Sequence, residues 1–548
     1  MRGRKHICLI LVCTLFIGMF GAHFIENQMT PEEDSTIKVT REQQHVKAME
    51  EGANPKLGTT KINKDFSVDK NFVSHLPLVV IDIGKQEIPV TKKFTRTVEK
   101  KGKKEVEKVT ITESKDDPFV HGEISIIDND NNKNKLSDAP AETSKMKIKY
   151  RGNSSIEFEK KQFGIKMLDD KGNNRKVNCM GMGASNNWIL NVSMIDMSLI
   201  RNYMSYNLGS SMFPNTPECK YCEVIFKDGS GYKYQGLYLM MEKIERDKNR
   251  VNIGKYHPGK DDVVSYLLCR DRKNENDVQL STYGDQNNLT YGRISILYPK
   301  HDALDKKAFN YIQNDIDKIE RVLYSSDMKE FSTWPNYLDT QSFVDYFVFN
   351  ELFGNYDAGN NSTYMYRDGT SKLKMGPLWD YDGAMDNYPY EINNPENVLF
   401  QEHPWFCQLV KSKEYVSLLE SRYEEMKNGI FSAKNLDKYI DDVYKYIGNA
   451  GLRDWSRWSS VYGKNSRMLT RKDSAGYEVD RKRTTFKSEV QRLKDFFHIK
   501  EKFMGSGLKK LEDKTVDTKT IDGSYKVVVV IILIFTTVVL IRRREMFN

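Results

Sequence analysis

The prevailing spacing of apolar residues shifts near residue 300, and that shift constrains the fold more than any single motif does. From about residue 76 the runs "LPLVVIDI", "GEISIID", "KMKIKYRG" and "QFGIKML" are short and β-branched or alternating. They are separated by Gly, Asn, Asp and Lys, the pattern of strands and hairpins. Past residue 300, Phe309, Ile312, Ile316, Ile319 and Leu323 step by three and four and lay one apolar stripe along a helix. A second helical run, "QSFVDYFVFNELFG", ends at Gly354, a residue suited to closing a helix. Residues 404–512 again read as charged helix, and in the first half "DMSLIRNYMSYNLGSSM" reads as a helix with Asp196 as its N-cap. The fold class expected is α+β, with a β-rich N-terminal part and an α-rich C-terminal part.

The two ends carry a different message. "MRGRKH" precedes an apolar stretch at 7–25 that is either a signal peptide or an uncleaved anchor; with no small-x-small cleavage site after it, the anchor is favoured. Residues 527–541, "VVVVIILIFTTVVLI", lie between Lys526 and "RRR" at 542–544 and read as a short transmembrane helix. If each segment spans once, both basic clusters lie on the cytoplasmic side and the large middle region faces outward. The expected layout is an anchor or signal peptide at 1–25, a polar linker at 26–72, a core at 73–403, a helical region at 404–515 and a membrane helix with a basic tail at 525–544. A net charge of +8 in a chain with 29% charged residues is mixed in sign, so no nucleic-acid partner is expected. Five cysteines outside the first apolar stretch are too few and too scattered for a disulfide scaffold. "CKYC" at 219–222 reads as a local disulfide or two buried thiols, since no second ligand pair stands near it to complete a zinc site.

The residues that carry chemistry follow the helix ending at Gly354. "GNYDAGNNSTYMY" places Asp357 and Asn361 in a loop, a short hairpin follows, and "GPLWDYDGAM" then sets Asp380 and Asp382 among aromatic rings. Carboxylates in apolar surroundings need a cation or a salt bridge, so this is a metal site or a salt-bridged turn. Loop and hairpin would bring Asp357, Asn361, Asp380 and Asp382 to one end. An all-oxygen set of this kind suits Mg²⁺ or Mn²⁺. The order of Asp, Asn and a later Asp is also that of the catalytic and metal-binding groups of protein kinases.

Several blocks now carry a resemblance: "YRGNSS" (150–155), "KKQFGIKM" (160–167), "NNWIL" with "DMSLIRN" (186–202), "YQGLYLMMEKIERD" (234–247), "LFGNYDAGNNSTYMY" (352–366) and "KMGPLWDYDGAM" (374–385). In this order, over roughly residues 76–410, the chain resembles the CotH family of atypical protein kinases, first known as spore coat proteins. The resemblance implies a divergent protein-kinase-like fold, here flanked by two transmembrane helices. It also implies use of ATP with Mg²⁺ or Mn²⁺, and transfer of the γ-phosphate to Ser or Thr of secreted, spore-coat or cell-surface proteins. It implies that Asp357 is the catalytic aspartate and Asp380 a metal ligand, with Asp382 in the same motif. Asn361 is the metal-ligand choice, four residues after Asp357 where a conventional kinase has its Asn five after, and Asn360 or Ser362 are alternatives. By analogy with kinases at large, Lys166 would contact phosphate oxygens, Glu242 would orient it, and Arg151 would contact phosphate or shape a turn. No G-x-G-x-x-G or Walker-type loop accompanies these blocks. Three functions stand: an outward-facing kinase; a catalytically inactive structural or adhesive protein on the same fold; and a metal-dependent phosphohydrolase, which the unclustered histidines disfavour.

Overall fold

The computed structural model describes residues 37–516 except 90–93, 101–102, 110–117, 153–155, 157, 193, 230, 273–276, 291–292, 356, 388–395, 463–470, 473–477 and 480–483, and backbone alone at 94–100, 103–109, 471–472 and 478–479. Two units divide the chain, residues 1–38 and 39–548, and every element described below belongs to the second.

Seven strands close into a barrel: β1 (Leu78–Asp82), β2 (Val120–Ile127), β3 (Glu142–Arg151), β4 (Gln162–Leu168), β5 (Asn187–Asn191), β6 (Cys219–Asp228) and β7 (Gly231–Glu242). The ring runs β7-β5-β4-β3-β2-β1-β6, and β6 pairs back onto β7. An odd ring cannot alternate direction all the way round, and the one parallel contact this forces is β1 with β6. Strand alternation fills the interior. Met146 and Ile148 of β3, Phe163, Ile165 and Met167 of β4, Trp188 and Leu190 of β5, and Tyr238 and Met240 of β7 share one apolar core. Each large side chain buried there contributes about 1.5–3 kcal/mol. The residues between them face outward, and the register sets Lys147, Lys166 and Asn187 side by side on that outer face.

A second sheet of order β9-β8-β10-β11 is built from β8 (Tyr266–Asp271), β9 (Arg293–Tyr298), β10 (Thr363–Arg367) and β11 (Lys374–Met375). Among the described residues the helices of seven or more residues are α1 (Gln44–Glu50), α2 (Arg201–Gly209), α3 (Lys306–Leu323), α4 (Thr340–Leu352), α5 (Lys413–Lys427), α6 (Ala433–Arg457) and α7 (Phe486–Lys509). The stripe expected on α3 is buried except for the half-buried Phe309. Every residue of α4 from Phe343 to Leu352 is buried, so this helix runs through the middle of the helical half. It closes at Gly354, whose φ of +56° is a conformation that side chains with a Cβ seldom adopt. Helix α2 starts later than expected. Asp196 accepts from the N–H of Ser198 and of Arg201 and pairs with the Arg201 guanidinium at 2.7 Å, so it closes the turn before the helix instead of capping it.

The α+β content stands, but the kinase-like fold flanked by two transmembrane helices does not. A closed seven-stranded barrel takes the place of the open sheet of a kinase small lobe, because β6 bridges β7 and β1. Among the described residues no helix is long and apolar enough to cross a membrane, and the apolar stretches at 7–25 and 527–541 lie outside those residues.

Two ion pairs with fully buried side chains hold α6 against the barrel. Lys160 meets Asp454 at 2.7 Å, and Arg453 meets Glu223 at 2.6 Å. The remaining valences are used: Asp454 also accepts from the Leu237 N–H at 2.8 Å and Tyr462 Oη at 2.9 Å, while Arg453 donates to the carbonyls of Leu57 and Thr59. Residues 41–59, within the stretch expected to be a polar linker, therefore pack onto the fold. Arg41 donates to the Pro217 carbonyl at 3.1 Å, and His45 hydrogen-bonds Tyr203 of α2 at 3.0 Å. Cys219 and Cys222 are buried free thiols three positions apart on β6, and only Cys222 belongs to the barrel core, so they face opposite ways.

Candidate active site

The chain leaving β11 runs beneath α2 to Asp380, and side chains of α2 and α4 set its course. The Asp380 N–H donates to Tyr206 Oη at 3.0 Å, the Tyr381 N–H to Asn202 Oδ1 at 2.8 Å, and Tyr381 Oη to Asn350 Oδ1 at 2.7 Å. Held this way, Asp380 takes a left-handed φ of +63°, which Asp tolerates better than most side chains with a Cβ. On the other side, the loop after α4 turns back on itself. The Asp357 carbonyl accepts from the N–H of Asn360 at 3.1 Å and of Asn361 at 2.7 Å, and Asn361 Nδ2 donates to Asp357 Oδ1 at 3.3 Å. Ser362 Oγ then donates to Asp380 Oδ2 at 3.3 Å and joins the two segments.

The carboxylates repel one another. Burial pushes Asp380 well above the usual carboxylate range, and the charges of Asp382 and Asp357 push it further. Its side chain hydrogen-bonds that of Asp382, which adds to the shift, and Arg151 is the cation that opposes it. Asp271, at the end of β8, belongs to the same group. Burial raises it first, the Asp357 charge adds to this, and the Ser362 backbone donates to it. An aspartate at the end of one strand among many carries no sequence signal, so only the fold reveals Asp271.

Facing these acids is the outer side of the barrel. The Arg151 guanidinium lies 5.0 Å from the Trp379 ring, one residue before Asp380. Lys166 stands on the same outer face, its ammonium 5.6 Å from the Phe119 ring. Lys243, directly after β7, is lowered by burial and then by the nearby charges of Lys300, Arg151 and Lys166, with Glu245 opposing. That residue is exposed overall, so crowding by like charges is the cause the geometry supports.

The structure does not bring Glu242 to Lys166. Trp188 of the barrel core is the register partner of both Ile165 and Glu242, whereas Lys166 is opposite Asn187. Glu242 is therefore on the inner face and Lys166 on the outer one, because a shift of one residue along a strand reverses the side. Glu242 pairs instead with the Arg250 guanidinium and accepts the Glu218 N–H at 2.9 Å. Burial still raises it to about 7 against the pull of Arg250. The carboxylate on the Lys166 side is Glu245, which takes the Asn187 amide at 2.9 Å. Lys243 and Glu245 lie in the very motif that contains Glu242, so reading the face of β7 would have found them.

Among the described residues no group of three or more His, Cys, Asp or Glu is placed to hold a metal ion by itself. What the site offers is a touching carboxylate pair, Asp380 and Asp382, with amide and hydroxyl oxygens beside it. That all-oxygen donor set fits a hard divalent cation that keeps waters and shares phosphate oxygens.

Carboxylates crowded at one end of the second sheet, against arginine and lysine on a barrel, define an α+β protein whose cleft chemistry suits a cation together with a polyanion. The chain belongs to the CotH family: the family model described as CotH kinase protein matches residues 148–504. The match opens inside β3 and runs through α6 into α7. No curated protein matches the chain.

Proposed function

We propose that this protein is an atypical protein kinase that moves the γ-phosphate of ATP to a Ser or Thr hydroxyl of a secreted, spore-coat or cell-surface protein, with Mg²⁺ or Mn²⁺ as cofactor. The observation that carries this reading is the meeting of Asp357, Asp380 and Asp382 with Arg151 in one place, in a chain of the CotH kinase family. Asp357 orients the acceptor hydroxyl and takes its proton as the new O–P bond forms and the bond to the ADP oxygen breaks. Asp380, Asp382 and Asn361 would hold the cation, which supplies charge neutralisation at the phosphate oxygens. Arg151, Lys166 and Lys243 face the same oxygens from the barrel, so catalysis rests on positioning and on charge more than on proton removal.

The test is transfer of γ-labelled phosphate from ATP to the protein itself and to casein, with Mn²⁺ or Mg²⁺, using the full chain. The expected result is transfer that Asp357→Asn and Asp380→Asn each reduce on the order of 10²-fold or more. Nucleotide binding without transfer to any acceptor would favour the second reading, an inactive structural or adhesive protein.

A further inference from the structure

The loop that carries Asp357 is held from behind by two side chains that no motif points to. Gly359 has a φ of +90°, and a Cβ added there would lie 2.9 Å from the Cβ of His403, so the turn presses directly on this histidine. The Asn360 amide donates to His403 Nδ1 at 2.6 Å. An amide N–H₂ only donates, which makes Nδ1 an acceptor and puts the ring proton on Nε2. His403 is buried, and burial lowers it to about 4, with Arg270 lowering it further, so the ring is neutral and keeps that acceptor at neutral pH.

Arg270 reaches the same turn from β8, its Nη1 3.5 Å from the Gly359 carbonyl. Only 2% of it is exposed, and its ring neighbour Trp405 lies 4.6 Å from the guanidinium. Its anionic partner is loosely placed. Glu320 is 3.8 Å away and gives its oxygens to the Trp405 indole at 2.9 Å and the Gly284 N–H at 2.6 Å. Arg270 Nε and Nη2 have no hydrogen-bond partner among the described residues. A buried guanidinium so poorly satisfied is costly, and what it does hold is the backbone of the catalytic turn.

We infer that His403 and Arg270 are positioning residues that clamp the 357–361 turn from behind, holding Asn360 rearward so that Asn361, and not Asn360, faces Asp357. The two asparagines thereby take opposite parts: Asn361 Nδ2 donates to the Asp357 carboxylate while Asn360 is spent on His403. Neither clamp residue touches the reacting atoms. Each acts through the turn, where small displacements of a catalytic group cost much of the rate.

The experiment compares His403→Ala with His403→Asn in the full chain, because the Asn Oδ1 sits where the imidazole Nδ1 does and accepts the same bond. Amide hydrogen exchange at residues 357–363 is read beside phosphotransfer kinetics. In His403→Ala, exchange at Asn360 and Asn361 is expected to rise about tenfold or more and kcat to fall about tenfold, with the KM for ATP within about twofold. His403→Asn recovers both to within about threefold. Unchanged exchange in His403→Ala, or equal defects in the two variants, would overturn the clamp. Should His403→Ala not fold, Arg270→Lys keeps a cation near Glu320, loses the Gly359 contact and is expected to raise the same exchange; no rise overturns the clamp equally. The kcat readout rests on the phosphotransfer reading and the exchange readout does not, so a wild type without transfer but with the exchange pattern supports the clamp while the kinase reading fails.

Discussion

The foot of the barrel and the mouth of the cleft both bury charge, and they treat it in opposite ways. Where α6 docks, Lys160 has Asp454 and Arg453 has Glu223, with every side chain of the four fully buried and the leftover valences taken by backbone groups and hydroxyls. At the cleft, Asp380 meets Asp382, with Asp357 and Asp271 close enough to act on one another; Arg151 opposes the shift of Asp380 and Arg272 that of Asp271. Opposite charges matched within hydrogen-bond distance make architecture. Like charges held together by a strained turn and the side chains of α2 and α4 cost stability, and such strain persists where the site needs it.

Breaking the matched end has the largest expected effect. Arg453→Met leaves Glu223 as an unpaired buried charge and should lower the unfolding free energy by about 3–5 kcal/mol, read by urea unfolding. At the cleft the sign reverses. Asp380→Asn removes a carboxylate that its neighbours repel, so the protein without cation should become more stable. The pH dependence follows the same logic. A carboxyl raised in the folded chain keeps a proton that the unfolded chain releases, so its contribution to stability is lost as pH climbs from the ordinary carboxylate range through the raised value. Urea titrations at about pH 5 and about pH 8 should show a fall in wild type that Asp380→Asn reduces. A smaller effect sharpens the basic side: Lys243→Met should raise the KM for ATP about tenfold and leave the fold intact, since this exposed lysine has no structural partner as close as those of Lys160. Glu242→Gln on the inner face checks the sign of the pH dependence at a second carboxyl: because Glu242 is raised to about 7, its contribution to stability is lost between the ordinary 4.5 and that value, and urea titrations across this window should show that Gln removes the fall.

The comparison also explains what could be read from the chain before the fold. The cleft is built from near neighbours: a helix closed by Gly354, a loop with Asp357 and Asn361, and a hairpin of β10 and β11 leading to Asp380. Such local signals are legible, and the structure does bring Asp357, Asn361 and Asp380 together. The barrel depends on partners far apart. That β6 would pair with both β1 and β7 is not contained in the alternation of any one strand. The register of β4, β5 and β7 then decides which face each residue takes, and it separates Lys166 from Glu242 and brings Lys243 near Lys166. Residues 41–59 lack periodicity because they attach through Arg41, His45 and backbone carbonyls that accept from Arg453, contacts that leave no apolar stripe to read. His403 and Arg270 were illegible for the same reason, since their partners are a backbone carbonyl and one amide in a turn distant in sequence.

The most direct test of the central claim, that the unmatched cleft is built for a divalent cation with ATP, is the thermal shift on adding Mn²⁺ and ATP to wild type, Asp380→Asn and Arg453→Met. Wild type and the destabilised Arg453→Met are expected to rise by similar amounts while Asp380→Asn does not rise, since binding to the folded state alone raises its stability. An equal rise in Asp380→Asn would contradict it, because the ligand would then be held somewhere other than the paired carboxylates.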